Sequence, residues 1–331
     1  MLTGLGGVAC VGDVYCDIVV RGVSRLPNWG EEVFGQEPVM CPGGVANVAV
    51  GLAKLGVPTR LLGRSRAEDT IGNVLSVELA QHELLSVDWL RIAPSTAVTV
   101  AIPHASERAM ISYAPPPDAR PITDCIPWDT LDRTTHLHIG AWSEGSNPLA
   151  DQRAILVRAR DLGITTSLDV SLGDEDGRAG RIRALLDHVD VFLPNAAEAC
   201  WITGTDNPTD ALEALAGMVS TVVVKLGGQG AIAARGETRE RVAAHEVPIV
   251  DTTGAGDAFV AGFLHGHVRR WPLGRSLALA NVCGAWSVSR VGSSISTPTR
   301  VEAFTALEEG GGLVLRAEDA VHDHESKGDN T

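Results

Sequence analysis

The chain contains few aromatic residues, and it lacks the long apolar runs and cysteine motifs that mark several classes of protein. Phe, Trp and Tyr make up 4% of the 331 residues, and hydrophobic residues together make up 44%, so we expect a large aliphatic core. No run of about eighteen apolar residues is present, which predicts that no helix spans a membrane. The N-terminus has no pattern of a signal peptide, and the six cysteines form no Cys-x-x-Cys pair. Together these features predict a cytoplasmic protein.

Basic residues are also scarce. The chain has 27 Lys and Arg against 41 Asp and Glu, and its formal net charge is −14. Such an acidic surface repels nucleic acid and anionic membranes, so we expect neither as a partner. A local group of backbone N–H groups can still bind phosphate, because such a nest acts regardless of net charge.

Several nucleotide-binding and catalytic motifs are absent. There is no Gly-x-x-x-x-Gly-Lys-Ser/Thr segment, which argues against a P-loop NTPase. The glycines at residues 4–7 precede the first apolar segment, so a Rossmann dinucleotide site lacks its context. The motifs His-Glu-x-x-His and Gly-x-Ser-x-Gly do not occur. His136 and His138 alternate on a predicted strand, and we interpret them as core or surface histidines rather than metal ligands.

Residues 251–263, Asp-Thr-Thr-Gly-Ala-Gly-Asp-Ala-Phe-Val-Ala-Gly-Phe, form the most informative segment. We interpret it as the end of a strand containing Val247, Ile249 and Val250, followed by a glycine turn and the start of a helix. The free N–H groups at such a helix start attract anions, and Asp257 lies in the same turn. An anion pocket beside a carboxylate suits phosphoryl transfer to a hydroxyl group. Because Asp is common in first turns for dipole reasons alone, a Gly-Ala-Gly tripeptide by itself would not support this interpretation.

Strands and helices alternate along most of the chain, which predicts an α/β fold with a mainly parallel central sheet and helices on both faces. The carboxyl ends of the strands then share one edge, where ligands bind. Antiparallel strands are expected at 231–234 and within 241–250, and a helix at 71–85. Two extended segments, about 14–42 and 96–118, predict a small β-sheet that caps this domain. The domain is expected to span 1–310, with a disordered segment at 311–331.

Polar residues near the first predicted strand, residues 8–20, suggest a ligand. Asp13 and Asp17 lie near the end of this strand, where they need partners or solvent. A ligand with several hydroxyl groups would provide partners, and a turn or an ion pair is the alternative. Gly43 and Gly44 precede a predicted helix and let the backbone approach a ligand closely. Asn47 either donates to a ligand hydroxyl or caps the helix, which is the commoner role.

Residues 251–263 resemble the signature of the ribokinase-like (PfkB) carbohydrate kinases. Further similarities follow in the family's order and cover roughly residues 8–308; they lie at 12–17, 43–49, 193–198, 225–230 and 280–298. The resemblance implies a ribokinase-like three-layer α/β/α fold in which the small sheet is a lid that often forms a dimer contact. It also implies ATP-dependent phosphorylation of an alcohol group.

The resemblance further implies roles for individual residues. Asp257 would accept the proton of the substrate hydroxyl, and Gly254, Ala255 and Gly256 would form the anion hole. The implied substrate-binding residues are Asp13, Asp17, Gly43, Gly44, Asn47 and Trp142; those that bind the nucleotide are Asn195, Lys225, Gly227, Gly230 and Asn281. Glu198 would organise Mg²⁺ indirectly, and a monovalent cation, K⁺, would be held by Asp251, Thr253, Ser287, Arg290, Gly292 and Ser296. The expected cofactors are therefore ATP, Mg²⁺ and K⁺.

Some departures from the family pattern bear on the substrate. The glycine motif at 43–47 is one residue short unless Pro42 takes the first glycine position. Lys225 stands where many members carry Thr or Ser, and Trp142 stands where ribokinases carry a carboxylate that touches ribose. Residues 114–118 lack the arginine of the sugar-acid kinases, which favours a neutral sugar.

Three hypotheses follow. The first is an ATP-dependent kinase that phosphorylates a hydroxymethyl group of a small neutral sugar, as fructokinases or ribokinases do. The second is a nucleoside kinase of the same fold, acting on adenosine, cytidine or pseudouridine, with Trp142, Trp29 or Tyr15 against the base. The third is a non-catalytic regulator that binds a sugar or nucleotide, which the intact Gly254 and Asp257 disfavour. The expected partners are a sugar or nucleoside and a second copy of the chain, bound through the lid.

Overall fold

The computed structural model describes residues 6–65, 68–104, 107–116, 120–142, 148–171, 177–290, 292, 294 and 296–308. The strands are β1 (Gly7–Arg21), β2 (Glu37–Gly44), β3 (Thr59–Arg64), β4 (Leu85–Trp89), β5 (Ala97–His104), β6 (Glu107–Tyr113), β7 (Thr134–Ile139), β8 (Thr165–Leu168), β9 (Val191–Phe192), β10 (Thr221–Lys225), β11 (Ala231–Arg235) and β12 (Thr238–Val242). The helices are α1 (Val45–Lys54), α2 (Thr70–Leu79), α3 (Ile122–Cys125), α4 (Pro148–Asp161), α5 (Arg178–Leu186), α6 (Ala196–Thr203), α7 (Pro208–Ala216), α8 (Ala255–Val268), α9 (Leu273–Val288) and α10 (Arg300–Glu308). The predicted disordered segment at 311–331 lies outside the described residues.

The central sheet has the strand order β12-β11-β10-β9-β8-β7-β1-β3-β4. The strands from β10 to β4 in this order pair in parallel, while β11 and β12 are antiparallel at one edge. The predicted mainly parallel sheet with an antiparallel edge is therefore confirmed. We did not predict β3 and β4, because Arg60, Gly63 and Arg64 interrupt the apolar pattern of β3 and β4 is short. The predicted helix at 71–85 ends at Leu79, and Leu85 begins β4.

Apolar side chains from both faces of this sheet pack against helices, which gives three layers. On one face, Val8 and Cys10 lie in a cluster with residues of α1, α8 and α9. On the other face, Ala9 and Val11 lie in a cluster with residues of α4 to α7. The close packing of α8 on α9 depends on Gly262, because a Cβ at that position would lie 2.8 Å from the Cα of Ala280. The predicted aliphatic core is confirmed by these clusters.

A second, smaller sheet is built on the far half of β1. Residues 14–21 of β1 pair with β2 in antiparallel fashion, residues 15–19 pair with β5 in parallel, and β5 pairs with β6. We call residues 14–21, β2, β5 and β6 the small sheet. Its strands come from the two segments predicted to form it, and residues 105–106 and 117–118 of the second segment lie outside the described residues. A single strand, β1, thus belongs to both sheets.

The chain between β12 and α8 differs from the prediction. Residues 243–253 form no strand, so the predicted strand containing Val247, Ile249 and Val250 is wrong. Pro248 has no N–H group to donate, and the N–H groups of Val250 and Asp251 both donate to the carbonyl of Val288 at the end of α9. In the part of the chain that the structure describes, every helix is too short or too polar to cross a bilayer.

Candidate active site

The first turn of α8 forms the centre of the site. Gly254 precedes the helix in the left-handed conformation, with φ 75°, which favours glycine. Among the described residues no side chain caps this helix, so its first-turn N–H groups have no side-chain acceptor there, and that of Ala255 makes only a long contact of 3.4 Å with the Thr252 carbonyl. Ala255 and Gly256 begin the helix, and Asp257 lies in the same turn, as the sequence predicted. The helix dipole and these N–H groups favour an anion at this place.

Asp257 is held by a side chain from α1. The Nδ2 atom of Asn47 donates to Oδ2 of Asp257 at 2.9 Å. Burial raises the pKa of Asp257 to about 7, the charge of Asp169 adds to the rise, and the Asn47 hydrogen bond opposes it. Asn47 lies inside α1, whose N-cap is Gly44, so the capping role considered for Asn47 is wrong. Its Oδ1 atom is buried and accepts no hydrogen bond within the described part of the chain.

An ion pair lies beside Asp257. Lys225, the last residue of β10, places Nζ 3.0 Å from both Oδ1 and Oδ2 of Asp169, which follows β8. Burial would lower the pKa of Lys225, but the charges of Asp169, Glu198 and Asp257 outweigh it and the pKa is raised. We call Asp169, Glu198, Lys225 and Asp257 the strand-end cluster. Sequence reasoning missed Asp169, whose only signal is a carboxylate directly after a buried strand.

Asn195 and Glu198 are organised by the start of α6. The side chain of Asn195 accepts from the N–H of Glu198 at 2.9 Å, and the Glu198 carboxylate accepts from the N–H of Asn195 at 2.7 Å. This reciprocal pair is a capping box. Burial raises the pKa of Glu198 to about 7, and the nearby charge of Asp169 adds to the rise. The structure therefore gives Asn195 and Glu198 a helix-capping role that the sequence had not indicated.

The pKa values of Asp169 and Glu198 are both raised, mainly by burial, and the charge of Asp169 acts on Glu198. Such carboxylates suit a hard cation with oxygen ligands, such as Mg²⁺. Among the described residues, no group of three or more His, Cys, Asp or Glu side chains is arranged to hold a metal ion. Glu198 and Asp169 thus fit a magnesium ion held mainly by phosphate oxygens and water, which is the usual mode for this metal.

A cavity of about 480 Å³ opens beside the α8 tip. Four of the five residues predicted to bind the nucleotide line it, namely Lys225, Gly227, Gly230 and Asn281, whereas Asn195 does not. Lys225, Ala255 and Gly256 line it, and most of the other lining residues are apolar, among them Val247, Ile249, Phe259, Ala285 and Val288. Asn281 also shapes the wall, because its Nδ2 donates to the carbonyls of Val242 and Ala243, each at 3.0 Å. His245 and Glu246 line the cavity too and were not predicted.

The predicted sugar-binding residues separate into two groups. Asp17 lies against Gly43, where a Cβ would come within 2.2 Å of Asp17 Oδ2, and Gly44 has φ 64°. These residues and Asn47 share the junction of β1, β2 and α1. The second group contains Asp13. Its carboxylate forms an ion pair with the buried Arg64 at 3.2 Å, and an ion pair was one of the alternatives to a ligand that the sequence left open.

Trp142 belongs with this second group. The guanidinium of Arg64 stacks on the ring of Trp142 at 4.3 Å, and Trp142 is buried. Burial lowers the pKa of Arg64, and the Asp13 charge opposes that change. Asp13 and Trp142 are therefore tied to one buried cation.

The residues predicted to surround a monovalent cation lie in the loop before α8, in the last turn of α9 and in the segment that follows α9. The Asp251 carboxylate accepts from the N–H groups of Thr253 at 2.9 Å and Gly292 at 3.2 Å. Ser287 and Ser296 share a hydrogen bond of 2.9 Å. Because the Asp251 oxygens already accept N–H groups, cation ligands here would be mainly backbone carbonyls. Arg290 instead stacks on Trp286 at 3.9 Å, and residues 291, 293 and 295 lie outside the described residues.

Comparison with known proteins agrees with this arrangement. The family model described as pfkB family carbohydrate kinase matches residues 7–300. The chain is 27% identical to an ATP-dependent 6-phosphofructokinase of Thermoanaerobacterium thermosaccharolyticum, over 77% of this chain and 81% of that protein. It is 25% identical to a ribokinase of Lactococcus lactis, over 91% of this chain and 97% of that one. It is 28% identical to Fructokinase-1 of Oryza sativa, over 82% of this chain and 89% of that one.

Solved structures share the fold at low identity. An Arabidopsis thaliana ribokinase, complexed with ribose and ATP, matches with a TM-score of 0.73 at 24% identity, covering 92% of this chain and 99% of that one. A Vibrio cholerae fructokinase, bound to fructose, ADP and calcium, matches with a TM-score of 0.75 at 23% identity, over 92% and 99%. A Methanocaldococcus jannaschii nucleoside kinase matches with a TM-score of 0.69 at 19% identity, covering 92% of this chain and 99% of that one. The ribokinase-like fold expected from the sequence is thereby confirmed.

Proposed function

Since this chain belongs to the pfkB family of carbohydrate kinases, we propose that it transfers the γ-phosphoryl group of ATP to a hydroxymethyl group of a small neutral sugar. The observation that carries the proposal is the position of Asp257. It lies in the uncapped first turn of α8, bonded to Asn47, next to both a nucleotide-sized cavity and the junction that holds Asp17 and Gly43. A carboxylate and an anion-binding helix tip on one turn suit transfer of a phosphoryl group to an alcohol.

In this proposal the residues of the α8 tip divide the work. The Asp257 carboxylate orients the acceptor hydroxyl and takes its proton, and Asn47 fixes the direction in which that carboxylate points. The N–H groups of Gly254, Ala255 and Gly256 stabilise the negative charge of the phosphoryl group. Mg²⁺, when bound with the nucleotide near Glu198 and Asp169, would supply further neutralisation of phosphate charge. The mostly apolar part of the cavity suits the adenine ring.

A neutral sugar is supported by the charges at the acceptor side. Asp17, Asp257 and Asn47 suit hydroxyl groups, which they can hydrogen-bond as acceptors. The buried Arg64 is paired with Asp13, so its charge is already balanced and does not favour an acidic substrate. Relatives named fructokinase and ribokinase make fructose and ribose the first sugars to test.

A nucleoside substrate is the second candidate, and the similarity in fold to a nucleoside kinase favours it. The candidate depends on an aromatic clamp for the base. Trp142 is buried against Arg64, which makes it a poor clamp, whereas Trp29 is fully exposed beside the small sheet. The sugar therefore remains the preferred substrate.

We further propose that the small sheet is a lid over the acceptor and a contact between two copies of the chain. Met40, Met110, Ile111 and Tyr113 are exposed on it, and Ile111 and Tyr113, two positions apart on β6, share one face. Exposed apolar side chains that share a face are typical of interfaces. Closure over the acceptor would exclude water, so that the sugar rather than water receives the phosphoryl group.

The experiment that tests the function is a screen for ADP release. The acceptors are fructose, ribose, a sugar acid, fructose 6-phosphate and adenosine, each with ATP and Mg²⁺. We expect the fastest release with a neutral sugar, confirmed by mass spectrometry of the phosphorylated product. Fastest turnover of adenosine would replace the sugar by the nucleoside, and no acceptor-dependent ADP from well-folded protein would contradict the proposal.

A further inference from the structure

We propose that Lys225 is a catalytic residue that contacts the phosphoryl group during transfer, and that Asp169 is a positioning residue that holds the Lys225 ammonium beside the α8 tip. The inference rests on the proposed function and goes beyond it, since it assigns the strand-end ion pair to the chemical step. It also brings in Asp169, which sequence reasoning did not associate with the site.

The geometry places the ammonium group between the carboxylate and the cavity. Nζ of Lys225 is 3.0 Å from each Asp169 oxygen, a symmetric contact that fixes the end of a flexible side chain. The same Nζ lies 3.8 Å from the position a Cβ would take on Gly256, so it borders the first turn of α8. Lys225 lines the cavity and Asp169 does not. The cation therefore faces the space where an anion would sit, with its counterion behind it.

Three carboxylates surround this ammonium group. Asp169 from the end of β8, Glu198 from α6 and Asp257 from α8 each attract it electrostatically. Both side chains of the pair are mostly buried, at 14% exposure for Lys225 and 13% for Asp169. A buried pair is weak evidence of stabilisation, because desolvation of the two ions offsets their attraction. Its place at the mouth of a cavity points to a role in binding or catalysis.

The shape of the cavity indicates which part of a nucleotide reaches Lys225. Apolar side chains, among them Val247, Ile249 and Val288, line the part of the cavity suited to a base. Lys225 lines the cavity beside Ala255 and Gly256 of the α8 tip, and an ammonium next to helix N–H groups suits phosphate groups. The terminal phosphoryl group would therefore meet the ammonium and the helix N–H groups together.

The chemical step defines what the cation contributes. A bond forms between the acceptor oxygen and the γ-phosphorus as the bond from that phosphorus to the β–γ bridging oxygen breaks. The electron pair of the broken bond stays on ADP, and the hydroxyl proton passes to the Asp257 carboxylate. Negative charge grows on the bridging oxygen, and a fixed positive charge stabilises it. Lys225 keeps its proton throughout.

A double-mutant cycle separates this role from simple neutralisation of Asp169. We expect Lys225→Met to lower kcat about 100-fold and Asp169→Asn to lower it about tenfold, with the double variant no faster than Lys225→Met. If the lysine only balanced Asp169, removal of both charges would restore activity, and a double variant at least tenfold faster than Lys225→Met would overturn the proposal. Glu213→Gln, which breaks the exposed Glu213–Arg239 pair, is the matched control and should leave kcat unchanged.

Nucleotide affinity gives a second readout that needs no acceptor. Calorimetry with a non-hydrolysable ATP analogue and with ADP should give, for Lys225→Met, a loss of about tenfold for the analogue and under about threefold for ADP. Equal losses for the two nucleotides would overturn contact with the terminal phosphoryl group, and circular dichroism checks the fold of each variant. If wild-type protein phosphorylates none of the acceptors, the proposed function fails, whereas the ratio of affinities still tests Lys225.

Discussion

Two buried polar groups lie under α8 and differ in almost every physical respect. In the strand-end cluster, Lys225 forms an ion pair with Asp169 and lines a cavity. The other group, which we call the histidine cluster, consists of His136, His138, Thr165 and Ser167 within β7 and β8. His136 bonds to Thr165 and Ser167 at 2.8 Å each, and Ser167 bonds to His138 at 2.9 Å.

Burial lowers the pKa of both histidines, to about 3 for His138, so the histidine cluster is neutral at pH 7. Its histidines are fully buried, and the ring centroids of His136 and of His267 in α8 lie 5.3 Å apart. Of the two alternatives considered for His136 and His138, core or surface histidines, the structure shows the first. The two clusters therefore differ in role according to their position along the strands. The histidines bond to hydroxyl groups on the next strand, while Lys225 and Asp169 at the carboxyl end form an ion pair beside a cavity.

The largest loss of activity is expected from Asp257→Asn in the strand-end cluster. We expect kcat to fall about 1,000-fold, because the amide accepts no proton, while the affinity for nucleotide changes little. We also expect a thermal midpoint a few degrees higher at pH 8. The carboxyl pKa is raised in the folded state, so its ionisation destabilises the fold as pH rises through about 7, and Asn removes that effect. Near-normal turnover in this variant would remove Asp257 from the role of base.

The pH dependence of kcat/KM tests the same cluster in the unmodified protein. Asp257 must be ionised to accept a proton, and its pKa in the free protein is about 7. We therefore expect kcat/KM to decrease below pH 7, approaching about a tenfold decrease per pH unit. The apparent pKa of this profile would belong jointly to Asp257 and Glu198. The measurement is kcat/KM for the best acceptor from pH 5.5 to 8.5. A flat profile down to pH 5.5 would contradict the buried, carboxylate-rich setting of Asp257.

A change in the histidine cluster should lower the stability of the protein and leave its turnover almost unchanged. Ser167→Ala removes the hydroxyl that bonds to both histidines, leaving buried ring nitrogens without partners. We expect a loss of about 1–3 kcal/mol in the free energy of unfolding, measured by urea denaturation, with kcat within about twofold at 25 °C. Thr203→Ala, which removes a hydroxyl that bonds within α6, is a control expected to cost less. A large loss of kcat in a stable Ser167→Ala protein would erase the distinction between the two clusters.

The smallest expected effect concerns the loops around Asp251. If backbone carbonyls near Thr253, Ser287 and Gly292 hold a monovalent cation, about 100 mM K⁺ should speed turnover by a few fold relative to Na⁺, since the larger ion suits a carbonyl cage. Initial rates in the two salts at constant ionic strength provide the test. Equal rates would count against a cation in these loops.

The sequence was most informative where chemistry depends on local order. The turn at Gly254, the helix that carries Asp257 and the junction of Gly43 with Gly44 were all predictable, because glycine and helix-start patterns act over a few residues. The pairing of Lys225 with Asp169 was not, since 56 positions separate the two residues and only the order of β8, β9 and β10 brings them together.

Tertiary contacts caused the other differences. Asn is a common helix-capping residue, but Asn47 lies inside α1, and its side chain bonds to Asp257 instead. The β-branched residues Val247, Ile249 and Val250 favour a strand, but Val247 and Ile249 line the cavity and the N–H of Val250 donates to the carbonyl of Val288 in α9. Tertiary contacts override local preference at these positions.

The continuity of β1 has a mechanical consequence. One backbone passes from the parallel sheet into the small sheet between Asp13 and Val14, and Asp17 lies just beyond this point. A rotation of the small sheet would have to twist this crossing, which carries Asp17 along with it and leaves Asp13 anchored by Arg64. Binding of the acceptor by Asp17 and closure of the small sheet would then be a single rotation about this crossing, so the two events would be coupled mechanically.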